Sequence, residues 1–188
     1  MGKVIGILAG SLHRDSFSKK IAKTIKSFVP QEGYEFKIID LEGLPVYNQD
    51  FDTDKNIPWA IERFRADMQS VNGVIFVTPE YNRSVPSVLK NAIDIGSTPF
   101  GKSIWNGKPA AIFSHSPGNI SGFGANHHLR QSLVFLNMPT MQQPEVYITN
   151  SDALFSVNGV MIEGSTKDFV RSAVNSYIKW FEKSYSTI

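Results

Sequence analysis

The chain of 188 residues predicts one α/β domain: a doubly wound sheet of five parallel strands, order 2-1-3-4-5, with helices on both faces. Three observations predict it. Strand-like and helix-like segments alternate along the whole chain, the pattern of a parallel sheet covered by helices. The strand-like segments are short continuous apolar runs, as expected of strands buried on both faces. The two loops richest in polar and turn residues follow the first and third runs, and in an open sheet of this order those strands are neighbours. Right-handed crossovers leave the doubly wound arrangement as the favoured topology, and 2-1-3-4-5 is one of its two common strand orders.

The elements follow in order. Val4-Ile5-Gly6-Ile7-Leu8-Ala9 is the first apolar run, giving a strand near 3–9. Ile21, Ala22, Ile25 and Phe28 then repeat at helical spacing, giving a helix near 16–29 with Ser16 as N-cap. A second strand falls near 34–40, and a helix near 58–71 precedes the third strand, near 73–78, built on Gly73-Val74-Ile75-Phe76-Val77. Val88-Leu89-Lys90-Asn91-Ala92-Ile93 restores helical spacing over 86–96. Strands near 109–115 and 140–148 flank a helix near 122–137. Phe169, Val170, Ala173, Val174, Tyr177, Ile178 and Phe181 carry a final helix over 165–184 and are expected to face the core. Two segments lie outside this alternation. Leu41–Ile57, with Pro45, Tyr47, Asn48 and Phe51, is expected to cover a helix or to join a subunit interface. Asp152–Gly164 holds Asn158-Gly159 between apolar residues and reads equally as a hairpin or as a surface turn.

The chemistry concentrates in the two loops. After the first strand, Gly10 lets the backbone turn, and Ser11, His13, Arg14, Ser16 and Ser18 bring hydroxyls and charge to the start of a helix. Free amides at a helix N-terminus attract anions, and a guanidinium matches phosphate geometry. The loop lacks both the Gly-x-x-x-x-Gly-Lys-Ser/Thr and the Gly-x-Gly-x-x-Gly patterns, so the expected ligand is a monophosphate held by hydroxyls and amides. After the third strand, Thr78-Pro79-Glu80-Tyr81-Asn82-Arg83-Ser84-Val85-Pro86 offers two stiffening prolines, a flat ring, an amide and two charges. That set suits the face and edge of a planar heterocycle.

With Gly10-Ser11-Leu12, Pro79-Glu80-Tyr81-Asn82, Leu89-Lys90-Asn91-Ala92-Ile93-Asp94, Ser116-Pro117-Gly118, His128-Leu129-Arg130-Gln131 and Pro144-Glu145-Val146-Tyr147, most of the chain resembles the NADPH-dependent FMN reductase family. The resemblance implies a flavodoxin-like fold and non-covalently bound FMN, with NADPH or NADH as electron donor. It implies hydride transfer through the flavin to a planar acceptor such as a quinone, an azo compound or free flavin. It places the FMN phosphate within Ser11, His13, Arg14, Ser16, Phe17 and Ser18. The ribityl chain and isoalloxazine fall against Pro79, Glu80, Tyr81, Asn82 and Ser84, with Ser116 and Gly118 arriving from a third loop. The family pattern has Arg at His13 and Asn at Ser18, leaving open whether His13 or Arg14 takes over the arginine's role. Its paired glycines stand here as Ser121-Gly122 and its Ala-Gln as Ala125-Asn126. No residue is assigned proton-transfer catalysis: Glu80 is expected to hold its loop, and Tyr81 to shape the pocket. Two other readings are a flavodoxin-type electron carrier and a flavin-dependent sensor without turnover. Carriers of that kind are strongly acidic and have a Thr/Ser-rich phosphate loop, which this chain lacks.

Composition narrows the chemistry. With no cysteine there is no disulfide, thiol nucleophile or thiolate metal site, so a bound organic cofactor must carry any electrons. His13, His115, His127 and His128 form no metal-ligand spacing, and no metal is expected. Ser114-His115-Ser116 lacks a nucleophile elbow and is expected to line a ligand loop. A net charge of +2 with interspersed signs argues against nucleic acid, and Lys19-Lys20 and His127-His128 read as solvated faces. Met1-Gly2-Lys3 leads straight into a strand without a signal-peptide apolar region, and position six is not Ser or Thr as myristoylation requires. A cytoplasmic protein with no membrane span is expected. Tyr47, Phe51, Trp59, Phe100 and Trp105 are rings without an obvious place in the core, and with the resemblance they imply a homodimer or homotetramer.

Overall fold

The computed structural model describes residues 2–28, 33–53 and 57–185. The five strands are β1 (Lys3–Ala9), β2 (Tyr34–Ile39), β3 (Gly73–Thr78), β4 (Ala110–His115) and β5 (Val146–Ile148). The helices are α1 (Phe17–Ser27), α2 (Asp50–Thr53), α3 (Trp59–Gln69), α4 (Ser87–Ser97), α5 (Phe123–Phe135) and α6 (Ser165–Tyr185). All strand pairs are parallel, in the order β2-β1-β3-β4-β5. The predicted topology is therefore the observed one, and the strand order reverses between β1 and β3.

Alternation along the central strands divides the core. Ile5, Ile7, Ile75, Val77 and Phe113 face α1 and α6, where they meet Ile21, Ile25, Val174, Tyr177 and Phe181. Leu8, Val74, Phe76 and Ile112 face the other way, against Phe64, Leu89, Ile93, Trp105 and Leu133. Every residue of β3 and β4 is buried, which is why these strands read as unbroken apolar runs. At Gly73 a Cβ would sit 2.5 Å from the Tyr177 hydroxyl, so only glycine lets α6 pack this closely.

Several expectations change in detail. The last strand is shorter than 140–148. Thr140 bridges Ala110, but Gln142-Gln143-Pro144 leaves the ladder, and pairing resumes only at Val146. The far end of the first helix, at residue 29, lies outside the described residues. Leu41–Ile57 covers a helix, as one of its two readings held: the Tyr47 amide donates to Asn91 of α4, and Asn91 returns a bond to the Pro45 carbonyl. Residues 54–56 of that segment are outside the described set. Asp152–Gly164 forms the hairpin, with Ile162 N–H donating to Leu154 and Ser156 N–H to Val160 across a Gly159 turn of φ +73°.

Candidate functional site

Three loops at the carboxyl ends of β1, β3 and β4 converge where the strand order reverses. They enclose a cleft of about 420 Å³ lined by Ser11, His13, Asp15, Ser16, Phe17, Ser18, Lys20, Pro79, Glu80, Tyr81, His115, Ser116 and Pro117. A larger cleft of about 590 Å³ lies between α4 and α5, away from these strand ends. The crevice at the switch point is the candidate site, the place where open α/β sheets bind their ligands.

One end of the cleft is rich in hydrogen-bond donors. Gly10 donates to the Val77 carbonyl, tying the loop to β3. Ser16 caps α1, its hydroxyl accepting from the Lys19 amide at 3.3 Å. The amides of Leu12, Arg14, Phe17 and Ser18 have no hydrogen-bond partner among the described residues. Ser11, Ser16 and Ser18 are all buried yet line the cleft. Free amides and hydroxyls at a helix N-terminus form a donor set that suits a phosphate. Lys20 adds charge: its Nζ lies 5.3 Å from the Phe17 ring centroid and 5.9 Å from that of Phe155. These two rings stack at 6.2 Å, so the 152–164 hairpin packs against Phe17 beside the cleft.

The other end is flat and rigid. Tyr81 and Ser84 exchange backbone bonds of 3.1 and 2.9 Å, closing a two-residue turn. Its central residues, Asn82 and Arg83, have φ of +50° and +63°. Left-handed geometry at a non-glycine pair costs energy and marks a constrained turn. The turn is held by Glu80, which accepts from the Ala125 amide at 3.0 Å and from Arg83 Nη1 at 3.1 Å. Ala125 lies in the first turn of α5, whose N-cap, Gly122, offers no side-chain bond. Glu80 thus fastens its loop by capping a neighbouring helix. Gly122 is left-handed, and a Cβ there would come within 3.0–3.1 Å of Ser114 and His115. Both features explain why glycine stands at the entry to α5.

Of the residues expected to contact a cofactor, Ser11, His13, Ser16, Phe17, Ser18, Pro79, Glu80, Tyr81 and Ser116 come together in this cleft. Arg14 instead lines the adjoining groove between α1 and the hairpin, with Lys23 and Asn158. Asn82 sits exposed at the tip of its turn. Ser84 lies on the α4–α5 side, its hydroxyl 3.0 Å from His128 Nδ1. Gly118 contributes a carbonyl that accepts from Ser116 at 2.8 Å. His13 therefore stands in the cleft where Arg14 does not. Asp15, Lys20 and Pro117 line the site without having been expected to. Lys20 was hidden in an apparently solvated Lys19-Lys20 pair, although its i, i+3 spacing from Phe17 was a usable signal. His115, expected to line a ligand loop, is the last residue of β4 and lines the cleft. It is buried at 3% exposure, and desolvation lowers its pKa to about 4.

A parallel sheet in this order, with a phosphate-type donor set and a stiff planar wall at its switch point, defines a mononucleotide-binding α/β protein. Comparison with known proteins supplies the rest. The family described as NADPH-dependent FMN reductase matches residues 3–153. A quinone reductase of Pseudomonas putida is 45% identical over 94% of this chain and 93% of its own length. A 2-hydroxy-1,4-benzoquinone reductase of a Burkholderia species is 39% identical, covering 96% and 97%. Among solved structures, the flavoenzyme NAD(P)H:(acceptor) oxidoreductase FerB of Paracoccus denitrificans has a TM-score of 0.87 and 33% identity over 97% and 98% of the two chains. The chain belongs to the NADPH-dependent FMN reductase family and is an FMN-dependent NAD(P)H oxidoreductase with a flavodoxin-like fold.

Proposed function

We propose that this enzyme reduces quinones, taking hydride from NADPH or NADH through FMN held in the switch-point cleft. The observation that carries the reading is the division of one cleft into a donor-rich end and a flat end formed by Pro79, Tyr81 and Pro117. When bound, FMN supplies a two-electron hydride relay, and the protein supplies position and electrostatics. Ser11, Ser16, Ser18 and the free amides of the 11–18 segment hold the phosphate. Pro79 and the Tyr81 turn set the plane of the ring system. Tyr81, 54% exposed, stands at the rim, where its ring meets whatever stacks on the open face. Nicotinamide and acceptor share that face and bind in turn. No residue of the cleft is assigned a proton-transfer role. The quinone reductases named above span nearly the same length as this chain, which supports a quinone as the acceptor.

The test is steady-state oxidation of NADPH and NADH against a panel of benzoquinones, naphthoquinones, an azo dye and free FMN. Parallel double-reciprocal lines are expected, with quinones giving the highest kcat/KM. Flavin that is reduced by nicotinamide but passes electrons slowly to every acceptor would instead identify an electron carrier.

The same reading includes self-association in the cytoplasm. Phe100, fully exposed at 102%, and Phe135, exposed at 88%, line one surface cleft at the ends of α4 and α5. Exposed aromatic clusters of this kind favour a subunit interface. Among the described residues no helix is long and apolar enough to cross a membrane.

A further inference from the structure

We propose that His115 is a positioning residue for the cofactor: it holds the Ser18 hydroxyl so that its single proton points at the FMN phosphate. The proposal rests on the cofactor reading above and adds a residue pair to it. His115 ends β4 beneath the cleft, and both ring nitrogens are engaged. Nε2 lies 2.7 Å from Ser18 Oγ, and Nδ1 lies 3.2 Å from Ser151 Oγ. All three side chains are buried, with Ser151 wholly so. Ser151 is itself fixed, its amide donating to the Ser116 carbonyl at 3.1 Å while the Ser116 amide donates to Ile148 at 3.2 Å. A rigid chain of hydroxyl, imidazole and hydroxyl therefore runs from the loop after β5 to the first turn of α1. It ends on a serine that lines the phosphate end of the cleft.

Counting protons gives this chain a direction. A phosphate dianion only accepts, and a serine hydroxyl has one proton to donate. For Ser18 to serve the phosphate, its oxygen must accept from His115, which puts the imidazole proton on Nε2. Nδ1 is then the acceptor for the Ser151 hydroxyl. In the opposite tautomer, Nε2 would take the Ser18 proton and the phosphate would lose that donor. Burial keeps the ring neutral, so it offers one donor and one acceptor, as this arrangement requires. The short Ser18 side chain, where the family pattern has Asn, thus acquires a fixed orientation from a partner on another strand.

The experiment measures FMN dissociation constants on flavin-free protein by fluorescence quenching, with thermal unfolding as the folding control. His115→Ala and Ser18→Ala are each expected to weaken FMN binding by roughly tenfold, the effect of one hydrogen bond to a charged group. The double variant should be no weaker than Ser18→Ala alone, because the two residues act as one unit. His115→Gln, whose amide places a donor near the Nε2 position, should recover most of the affinity. Nitrogen-15 NMR of labelled histidine should show the Nε2–H tautomer once FMN is bound. An unchanged dissociation constant for His115→Ala, or fully additive losses, would overturn the proposal. If His115→Ala fails to fold, a His115→Gln protein that binds as weakly as Ser18→Ala would overturn it as well. Wild-type protein that takes up no FMN would overturn the cofactor reading itself, a separate failure.

Discussion

His115 shows how much one residue's environment alters its chemistry. Its ring nitrogens lie against two neutral hydroxyls, and burial lowers its pKa from 6.5 to about 4. In the unfolded chain it titrates near the ordinary value. Between those values the unfolded state binds a proton that the folded state does not. The His115 contribution to stability is therefore complete above about pH 6.5 and is lost as pH falls toward 4. The span of that shift corresponds to roughly 3 kcal/mol. Denaturant unfolding of the flavin-free protein across this window should show the loss, and His115→Gln should flatten it. Such behaviour was not legible beforehand. The sequence places His115 at a strand end, but its two serine partners lie 97 and 36 positions away.

At the scale of elements, the Tyr81 turn and α5 are joined through one carboxylate. Glu80 accepts from the Ala125 amide where α5 has no side-chain cap, and its charge is favourably placed at that helix N-terminus. Glu80→Ala should cost about 1–2 kcal/mol, the scale of a lost cap, read from the urea midpoint. Because the same bond restrains the left-handed Asn82–Arg83 turn, the variant should also bind FMN more weakly, while Glu80→Gln retains an acceptor and much of both effects. A carboxylate holding its loop was legible from the run of loop residues. The identity of the donor was not, because Ala125 comes from an element 45 positions further on. Trp105 makes the same point from the opposite side. Expected among the interface rings, it is fully buried beside Phe64 and Phe76, and its indole N–H donates to the Ile93 carbonyl at 2.9 Å.

For the whole molecule, the rings sort into two groups. Tyr47 and Phe51 pack against the α3–α4 side of the core, and Trp105 lies within it. Trp59 is 70% exposed, with the Arg63 guanidinium 5.1 Å from its ring centroid. Phe100 remains open, and the exposed Phe135 of α5 lines the same surface cleft although it was not singled out from sequence. Periodicity assigns one face of α5 to the core, but it does not reveal that apolar side chains also lie on the other. Sedimentation velocity at micromolar concentration should show a dimer or larger species, and Phe135→Glu should shift it to monomer. A wild-type monomer with full activity would remove the assembly from the functional account.

The alternating strands and helices, the doubly wound class and the N-cap at Ser16 were legible in the sequence alone, and the structure selected 2-1-3-4-5 from the common strand orders. Each legible feature rests on a local cause: apolar runs make buried strands, hydroxyls cap helices, and handedness restricts the crossovers. Tertiary structure decided which charged groups reach the cleft. Arg14 and His13 are adjacent in sequence, yet the turn into α1 sends Arg14 to the outer groove and leaves His13 inside. Lys20 reaches the cleft because Phe17 and Phe155 form a surface for its methylenes and charge. The pairing of His115 with Ser18 and Ser151 depended on three chain segments meeting at one end of the sheet. Local sequence encodes conformation through short-range sterics and periodicity. A side chain's ionisation and partners are set by groups that only folding brings within a few ångströms.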